Sequence, residues 1–291
     1  MSSAPKHWTT RELLRWTTDY FESKQIDSAR LAAEMLLAYV LDVQRLRLYM
    51  ESDRPTTDDE RSRFRALVER AARHEPVDYL VGWTPFFTMQ LAVTPDVLIP
   101  RPSTETLVEH IIQHARSTEG FANPRIAEIG VGSGAVSIAL AKHTPGSTIV
   151  ATDISEAALA VAKQNAEAQG VADRTDFRYG DLLEPLGDET FHYLVSNPPY
   201  ISDAEWADVA PNVKEYEPVL ALRGGADGLD LLRPLIAGAR RHLQQPGQLL
   251  LEIAASQEQA ILELAAAAGF ADCRVLKDHE RLPRVLVAEV G

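Results

Sequence analysis

From residue 125 to the end of the chain, short apolar runs alternate with stretches of helical periodicity. This alternation restricts the possible folds more than any other feature of the sequence. The predicted strands cover residues 125–129, 147–153, 176–180, 191–196, 248–253, 274–277 and 283–290, with helical patterns at 135–143, 155–169, 229–243 and 257–268. Strands that alternate with helices pair in parallel and carry helices on both faces of the sheet. We therefore predict an α/β fold with a mostly parallel, seven-stranded sheet.

The sequence before this pattern has a different character. Residues 1–80 contain helical patterns, at 28–42 and 57–75, but no strand pattern. Residues 79–87 and 90–93 are rich in aromatic and β-branched residues interrupted by Gly and Pro, which is typical of a hairpin. We predict a helical domain over 1–80, a β-hairpin linker over 81–102, and an α/β domain over 103–291 that opens with a helix at 103–116.

Composition excludes several classes of protein. Apolar residues make up 45% of the chain, which is enough for a globular core, and no run reaches the length of a membrane helix. The first residues lack a signal-peptide core, so a cytoplasmic location is expected. The net charge of −13 argues against stable nucleic-acid binding. The single cysteine, Cys273, is expected to be buried, and no His, Cys and carboxylate spacing indicates a metal site.

A glycine-rich turn follows the first apolar run of the α/β region, as Glu128-Ile-Gly-Val-Gly-Ser-Gly134. Glycines allow a positive φ and a close approach of a ligand to the main chain. The third glycine comes one residue earlier than in the dinucleotide fingerprint. A carboxylate at Glu128 also suits a cationic or hydroxyl-bearing ligand better than a diphosphate. A tight turn without a ligand is the alternative.

Two further acidic positions end the next strands. Asp153 lies about 20 residues beyond the glycine turn, where a carboxylate accepts hydrogen bonds from ribose hydroxyls. An N-cap for the following helix is a compatible alternative. Asp181 and Leu182 follow the third run, where a nucleoside site would place an amine acceptor and an apolar contact for adenine. Taken alone, this segment is typical of a turn.

The most specific motif is Asn197-Pro-Pro-Tyr200, directly after the fourth run. Two prolines remove two N–H donors, so nearby carbonyl oxygens are available as acceptors. Asn197 adds a side-chain acceptor, and Tyr200 adds an aromatic face. Two acceptors can hold both hydrogens of a planar amide or amino group and aim its nitrogen at an electrophilic methyl carbon. A proline turn without function is a poor explanation for all four residues together.

These motifs resemble those of class I S-adenosylmethionine-dependent methyltransferases, which have a Rossmann-like fold. Three further stretches resemble the HemK/PrmC family, the glutamine methyltransferases of peptide-chain release factors: Leu98-Ile-Pro-Arg-Pro-Ser-Thr-Glu105, Glu215-Tyr-Glu-Pro-Val-Leu-Ala-Leu222 and Gly224-Gly-Ala-Asp-Gly-Leu-Asp230. The resemblance extends from about residue 75 to the C-terminus. Ser103, Val131 and Ala254 depart from the family pattern, whereas the Asn-Pro-Pro-Tyr motif is complete.

The resemblance assigns roles to individual residues. S-adenosylmethionine, which leaves as S-adenosylhomocysteine, would be held by Glu128, Gly130, Val131, Gly132, Ser133, Gly134, Asp153, Asp181, Leu182 and Asn197. The substrate glutamine would lie against Asn197, Pro198, Pro199 and Tyr200, beside the loop from Arg101 to Glu105. Asn197, Pro198 and Tyr200 would be the catalytic residues. The substrate would be the glutamine of the Gly-Gly-Gln motif of release factors, and the N-terminal helices would help to dock that protein.

Four alternatives remain open. The first is methylation of a glutamine in a ribosomal protein. The second is an adenine-amino methyltransferase, which shares Asn-Pro-Pro-Tyr but conflicts with the acidic charge. The third is a cofactor-binding protein without catalysis, which the intact Asn197 disfavours. The fourth is a nicotinamide oxidoreductase, which the early third glycine disfavours.

Overall fold

The computed structural model describes residues 8–291, which divide into two compact units. Unit 1 contains the described residues up to Gly82 together with Ala210–Tyr216, and unit 2 contains Trp83–Val209 and Glu217–Gly291. The prediction that the first residues lack a signal-peptide core falls partly on residues 1–7, which lie outside the described residues. Within 8–291, every helix is too short or too polar to cross a lipid bilayer.

Unit 1 consists of helices. They are α1 (Thr10–Ser23), α2 (Ala29–Leu41), α3 (Arg45–Met50), α4 (Asp58–Ala71), α5 (Val77–Val81) and, from later in the chain, α9 (Pro211–Lys214). Capping boxes begin α1 and α4, because Thr9 and Thr57 each exchange hydrogen bonds with a glutamate three residues later. Helix α2 packs against α1, α4 and α5, which explains why most of its residues are buried.

Unit 2 opens with an antiparallel hairpin of β1 (Trp83–Phe86) and β2 (Met89–Ala92). The prediction of extended chain from residue 79 was wrong, because Tyr79 lies in α5. Gly82 ends that helix with a φ of +81°, a conformation that glycine adopts without strain, and the strand begins one residue later.

Seven strands form the sheet of unit 2, and the predicted mostly parallel arrangement is confirmed. They are β3 (Arg125–Ile129), β4 (Thr148–Asp153), β5 (Thr175–Tyr179), β6 (Phe191–Ser196), β7 (Leu243–Glu252), β8 (Asp272–Lys277) and β9 (Pro283–Val290). Their order is β5-β4-β3-β6-β7-β9-β8, and β9 alone runs in the direction opposite to the other six strands. The order reverses between β3 and β6, where open α/β sheets bind their ligands.

Helices cover both faces of this sheet. They are α6 (Glu105–Ser117), α7 (Ala135–His143), α8 (Glu156–Ala168), α10 (Leu232–Ala239) and α11 (Glu258–Ala267). Alternate residues of one strand enter opposite cores: Ile126 of β3 packs in one hydrophobic cluster, and Ala127 and Ile129 pack in the other. Cys273 is half-buried rather than buried, because β8 is an edge strand.

Two element boundaries differ from the predicted ones. Helix α10 covers only the middle of the predicted 229–243 segment, and a short 3-10 helix, Arg240–His242, follows it. Strand β7 then starts at Leu243, five residues before the predicted run, because Leu243 pairs with Phe191 of β6 and Gly247 pairs with Val290 of β9. The end of a strand depends on its pairing partners, and hydrophobic periodicity in the sequence does not identify those partners.

Candidate active site

A cavity of about 250 Å³ opens at the carboxyl ends of the central strands. Residues 130–133 line it after β3, residues 152–155 after β4, residues 180–182 after β5, and residues 196–199 after β6. These segments contain the predicted glycine turn, both acidic positions and the Asn-Pro-Pro part of the fourth motif. The fold thus brings motifs that are far apart in the sequence to one cavity.

The glycine turn after β3 is held by its own backbone. The amides of Gly130 and Val131 both donate to the Thr152 carbonyl oxygen at 2.9 Å. Gly130, Gly132 and Gly134 all have a positive φ. At Gly134, where φ is +85°, a Cβ would also lie 2.7 Å from Cδ1 of Ile138. The turn therefore needs glycine for its backbone conformation and, at Gly134, for packing against α7.

Glu128 lies at the end of β3, on the floor of the cavity, and is buried. Its Oε2 accepts hydrogen bonds from the amide of Ser137, at 2.8 Å, and from the Ser137 hydroxyl. Burial raises the pKa of this carboxyl to about 8, although the Ser137 hydrogen bonds oppose the change. A bound cation would favour the ionised form.

Asp153, the last residue of β4, connects that strand to the glycine turn by a hydrogen bond. Its Oδ2 accepts from the Gly132 amide and its Oδ1 from the Ser155 amide, both at 2.9 Å. Burial raises its pKa, against these hydrogen bonds. The cap of α8 is Ser155, whose side chain accepts from the Ala158 amide. Asp153 is therefore not the N-cap, and its carboxylate faces the cavity beside the turn.

The cavity is electrostatically one-sided. Four carboxyl groups line it, from Asp96, Glu128, Asp153 and Asp181. Among residues 8–291, none of those that line it is Lys, Arg or His. A diphosphate would meet no countercharge here, whereas a cationic ligand would be attracted. This arrangement fits the positively charged sulfur of S-adenosylmethionine better than a nicotinamide dinucleotide.

Asn197 and Pro198 present hydrogen-bond acceptors to the cavity at the end of β6. The Asn197 Nδ2 donates to Oγ1 of Thr104 at 3.2 Å, which leaves Oδ1 on the opposite side of the amide. Neither this Oδ1 nor the Pro198 carbonyl oxygen accepts a hydrogen bond from any residue of 8–291. Two adjacent acceptors without donors can bind the two hydrogens of an NH2 group.

The Asn-Pro-Pro-Tyr loop is supported by the Gly224–Asp230 segment. A Cβ on Gly224 would lie 2.7 Å from the carbonyl oxygens of both Pro199 and Gly228. The Gln257 side chain donates to the carbonyls of Tyr200 and Gly228, each at 3.1 Å. The glycines of this segment therefore allow two backbones to approach closely and hold the loop in place.

Four of the predicted site residues do not line the cavity. Arg101 pairs with Glu217, and Glu105 accepts a hydrogen bond from the Phe87 amide. The Tyr200 ring packs against the hydrophobic cluster that contains Ile129, and burial raises its pKa to about 12. Gly134 lies behind the turn. All the other predicted site residues line the cavity.

The sequence analysis did not single out several of the lining residues. Thr104, within the loop that was expected beside the substrate, lies in a short 3-10 helix, Pro102–Thr104, and contacts Asn197. Ile154 follows Asp153 and is an exposed apolar residue on the lining, as is Leu220. An apolar residue directly after an acidic strand end was the available signal for Ile154. For Thr104, no signal identified which strand end it would meet.

Comparison with known proteins agrees with this geometry. A family model for the PrmC N-terminal domain matches residues 12–82, and a model for the methyltransferase small domain matches residues 102–215. A crystal structure of a methyltransferase from Pyrococcus furiosus shares the fold, with a TM-score of 0.53 and 18% identity over 70% of this chain and 90% of that chain.

The fold and the cavity define an S-adenosylmethionine-dependent methyltransferase. The release factor glutamine methyltransferase of Geobacter sulfurreducens is 39% identical over 291 residues, which are 100% of both chains. The one from Chlorobaculum tepidum is 39% identical over 287 residues, 97% of each chain. The chain belongs to the release factor glutamine methyltransferase family, so the resemblance described above is confirmed.

Proposed function

We propose that this enzyme transfers a methyl group from S-adenosylmethionine to the side-chain amide nitrogen of the glutamine in the Gly-Gly-Gln motif of peptide-chain release factors. Its relatives are named release factor glutamine methyltransferases. The observation that supports it most directly is the pair of acceptors without donors, Asn197 Oδ1 and the Pro198 carbonyl, at the cavity. A primary amide is the uncharged protein side-chain group that supplies two hydrogens on one planar nitrogen.

The cavity residues at the ends of β3, β4 and β5 would hold the cofactor. We assign the methionine and ribose parts to the turn from Gly130 to Gly134, with Gly134 acting through the shape of the turn. Asp153 would accept from the ribose hydroxyls, and Glu128 would provide negative charge near the cationic sulfur. Asp181 would accept from the adenine amine, while Leu182 and Ile154 offer apolar contacts for the ring. Cavity lining and charge support these assignments.

The end of the cavity formed by Asn197 and Pro198, here called the amide end, would act mainly by orienting the substrate amide. An amide nitrogen is a weak nucleophile because its lone pair is delocalised into the carbonyl. When bound, S-adenosylmethionine supplies an electrophilic methyl group on a cationic sulfur. Asn197 Oδ1 and the Pro198 carbonyl hold both amide hydrogens, which aims the nitrogen and increases its electron density. Pro199 keeps the loop rigid because its φ is restricted.

The described helices of unit 1 would dock the release factor. This unit exposes several large apolar side chains, and Leu46 and Met50 on α3 are 69% and 76% exposed. Because they are four residues apart, they lie on one face of the helix. Replacing both by Ser should raise KM for an intact release factor while KM for a short Gly-Gly-Gln peptide stays within about twofold. An equal rise for both substrates would contradict docking at this face.

The test of the proposed activity is transfer of a labelled methyl group to a purified release factor. Parallel reactions contain the same factor with Gly-Gly-Ala, a ribosomal protein, and a DNA duplex. Label on the Gly-Gly-Gln protein alone is the expected result. Label on the ribosomal protein or the duplex alone would favour the corresponding alternative. Cofactor binding without transfer to any of them would overturn the proposal.

A further inference from the structure

Asn197 is connected to a buried carboxylate that none of the recognised motifs explains. Glu252 ends β7 and is fully buried. Its Oε2 accepts a hydrogen bond from Oγ1 of Thr104 at 2.6 Å, and its Oε1 accepts from the Ser103 hydroxyl at 3.2 Å. Thr104 in turn accepts from Asn197 Nδ2. The three side chains form one chain of hydrogen bonds that ends at the substrate side of the cavity.

The number of hydrogens determines the direction of this chain. A threonine hydroxyl has one hydrogen to donate, and here Glu252 receives it. The Thr104 oxygen can then only accept from the Asn197 amide. The atom of Asn197 that faces Thr104 must therefore be its nitrogen, and the oxygen must face the other way. A reversed amide would place two acceptor oxygens against each other and lose a hydrogen bond.

Two hydroxyl donors face Glu252, from Thr104 and Ser103, so its oxygens act as acceptors. Burial raises the pKa of this carboxyl, and the two hydroxyls together with the charges of Arg284 and Arg101 oppose that rise without cancelling it. A hydroxyl bonded to a carboxylate is held more strongly than one bonded to a neutral acceptor. The direction of the Thr104 hydroxyl is thus set by a group that lies outside the cavity lining.

We propose that Thr104 and Glu252 are positioning residues that hold the Asn197 amide with its oxygen toward the substrate nitrogen. The proposal rests on the proposed function, because it concerns how the substrate amide is recognised. The held Oδ1 attracts an NH2 group and repels a carboxylate oxygen. Thr104 and Glu252 consequently contribute to the choice of glutamine over glutamate.

Three variants separate this role from a structural one. Thr104→Val keeps the shape of the side chain and removes the hydroxyl, whereas Thr104→Ser keeps the hydroxyl and removes the methyl group. Ser103→Ala is the matched control, because it removes the other hydroxyl on Glu252 without touching Asn197. Each variant is compared for kcat, for affinity for S-adenosylhomocysteine, and for its relative affinity for Gly-Gly-Gln and Gly-Gly-Glu peptides with that product bound.

For Thr104→Val we expect kcat and the preference for the glutamine peptide to fall about tenfold, with affinity for S-adenosylhomocysteine within about twofold. Thr104→Ser should restore most of both, and Ser103→Ala should change each by less than about threefold. Glu252→Gln, which no longer obliges the hydroxyl to donate, should reduce the preference severalfold and provides a second route if Thr104→Val does not fold.

The outcomes distinguish this inference from the proposed function. A wild-type enzyme that methylates no Gly-Gly-Gln substrate would overturn both. An active wild type with full peptide preference in Thr104→Val and Glu252→Gln would overturn the positioning role alone. Equal losses in Thr104→Val and Thr104→Ser would assign Thr104 to packing instead.

Discussion

The two ends of the cavity are built in different ways. At the glycine-turn end, the contacts join residues that are near in sequence: Ser137 to Glu128, nine residues apart, and Gly132 to Asp153, 21 apart. At the amide end, Asn197 and Thr104 are 93 residues apart, and Thr104 and Glu252 are 148 apart. One end is a strand–turn–helix unit, and the other is assembled from three distant segments.

This difference predicts which property of the enzyme a local change at each end should affect. The glycine-turn end works largely through backbone amides and conformation, which depend on the residue types in the turn itself. The amide end depends on the orientation of one side-chain amide, and that orientation is set by partners in other segments. A defect at the first end should change cofactor binding. A defect at the second should change transfer without changing cofactor binding.

The largest expected effect is that of Asn197→Ala. Removing the Oδ1 acceptor should lower kcat about 10²- to 10³-fold, because the substrate nitrogen loses one of the two groups that orient it. Affinity for S-adenosylmethionine, measured by calorimetry, should stay within about threefold. A parallel loss of cofactor affinity and activity would mean that Asn197 serves the cofactor or the fold, and the two ends would not be separable.

A matched pair of glycine variants sharpens the comparison. Gly134→Ala introduces strain at a φ of +85° and a contact with Ile138, so it should weaken cofactor binding about tenfold. Gly224→Ala would press on the carbonyls of Pro199 and Gly228. It should lower kcat about tenfold while cofactor affinity changes by less than about twofold.

The measurement for this pair is steady-state kinetics beside calorimetric cofactor binding, with thermal unfolding to confirm that both variants fold. Opposite patterns in the two variants are expected. If both variants lost cofactor affinity to the same extent, the two ends would be mechanically coupled and the distinction between them would fail.

The last expected effect is on stability rather than on methyl transfer, and it concerns Glu128 and pH. Its folded-state pKa of about 8 lies above the ordinary 4.5, so between these values the folded chain keeps a proton that the unfolded chain has released. The free energy of unfolding therefore falls as the pH rises through this window. Glu128→Gln lacks this loss, and its stability relative to wild type should increase by on the order of 3 kcal/mol from about pH 5 to about pH 8.

Urea unfolding at several pH values, without cofactor, measures this difference. The same substitution should weaken S-adenosylmethionine binding severalfold, since a negative charge near the cation is lost. A stability difference that does not change with pH would show that Glu128 is ionised throughout, despite its burial.

The sequence predicted more of the glycine-turn end than of the amide end. Strand β3, the turn and Asp153 follow from local periodicity and glycine spacing, and the structure places Glu128, Gly132 and Asp153 around one cavity. Arg101 and Glu105 were expected beside the substrate, but Glu217 and the Phe87 amide engage them. Spacing along the chain does not reveal a partner more than 100 residues away, as Glu217 is from Arg101.

By itself, the sequence determined the alternation of strands and helices, the glycine turn, and the acceptors of Asn-Pro-Pro-Tyr. These depend on backbone conformation and on hydrophobic periodicity over a few residues. Only the tertiary structure decided that Thr104 meets Asn197, that Glu252 receives the Thr104 hydrogen, and that Tyr200 packs against the core. The reason is physical: each of these contacts joins groups from separate strand ends or loops, and only the order and register of the folded sheet bring them within hydrogen-bonding distance.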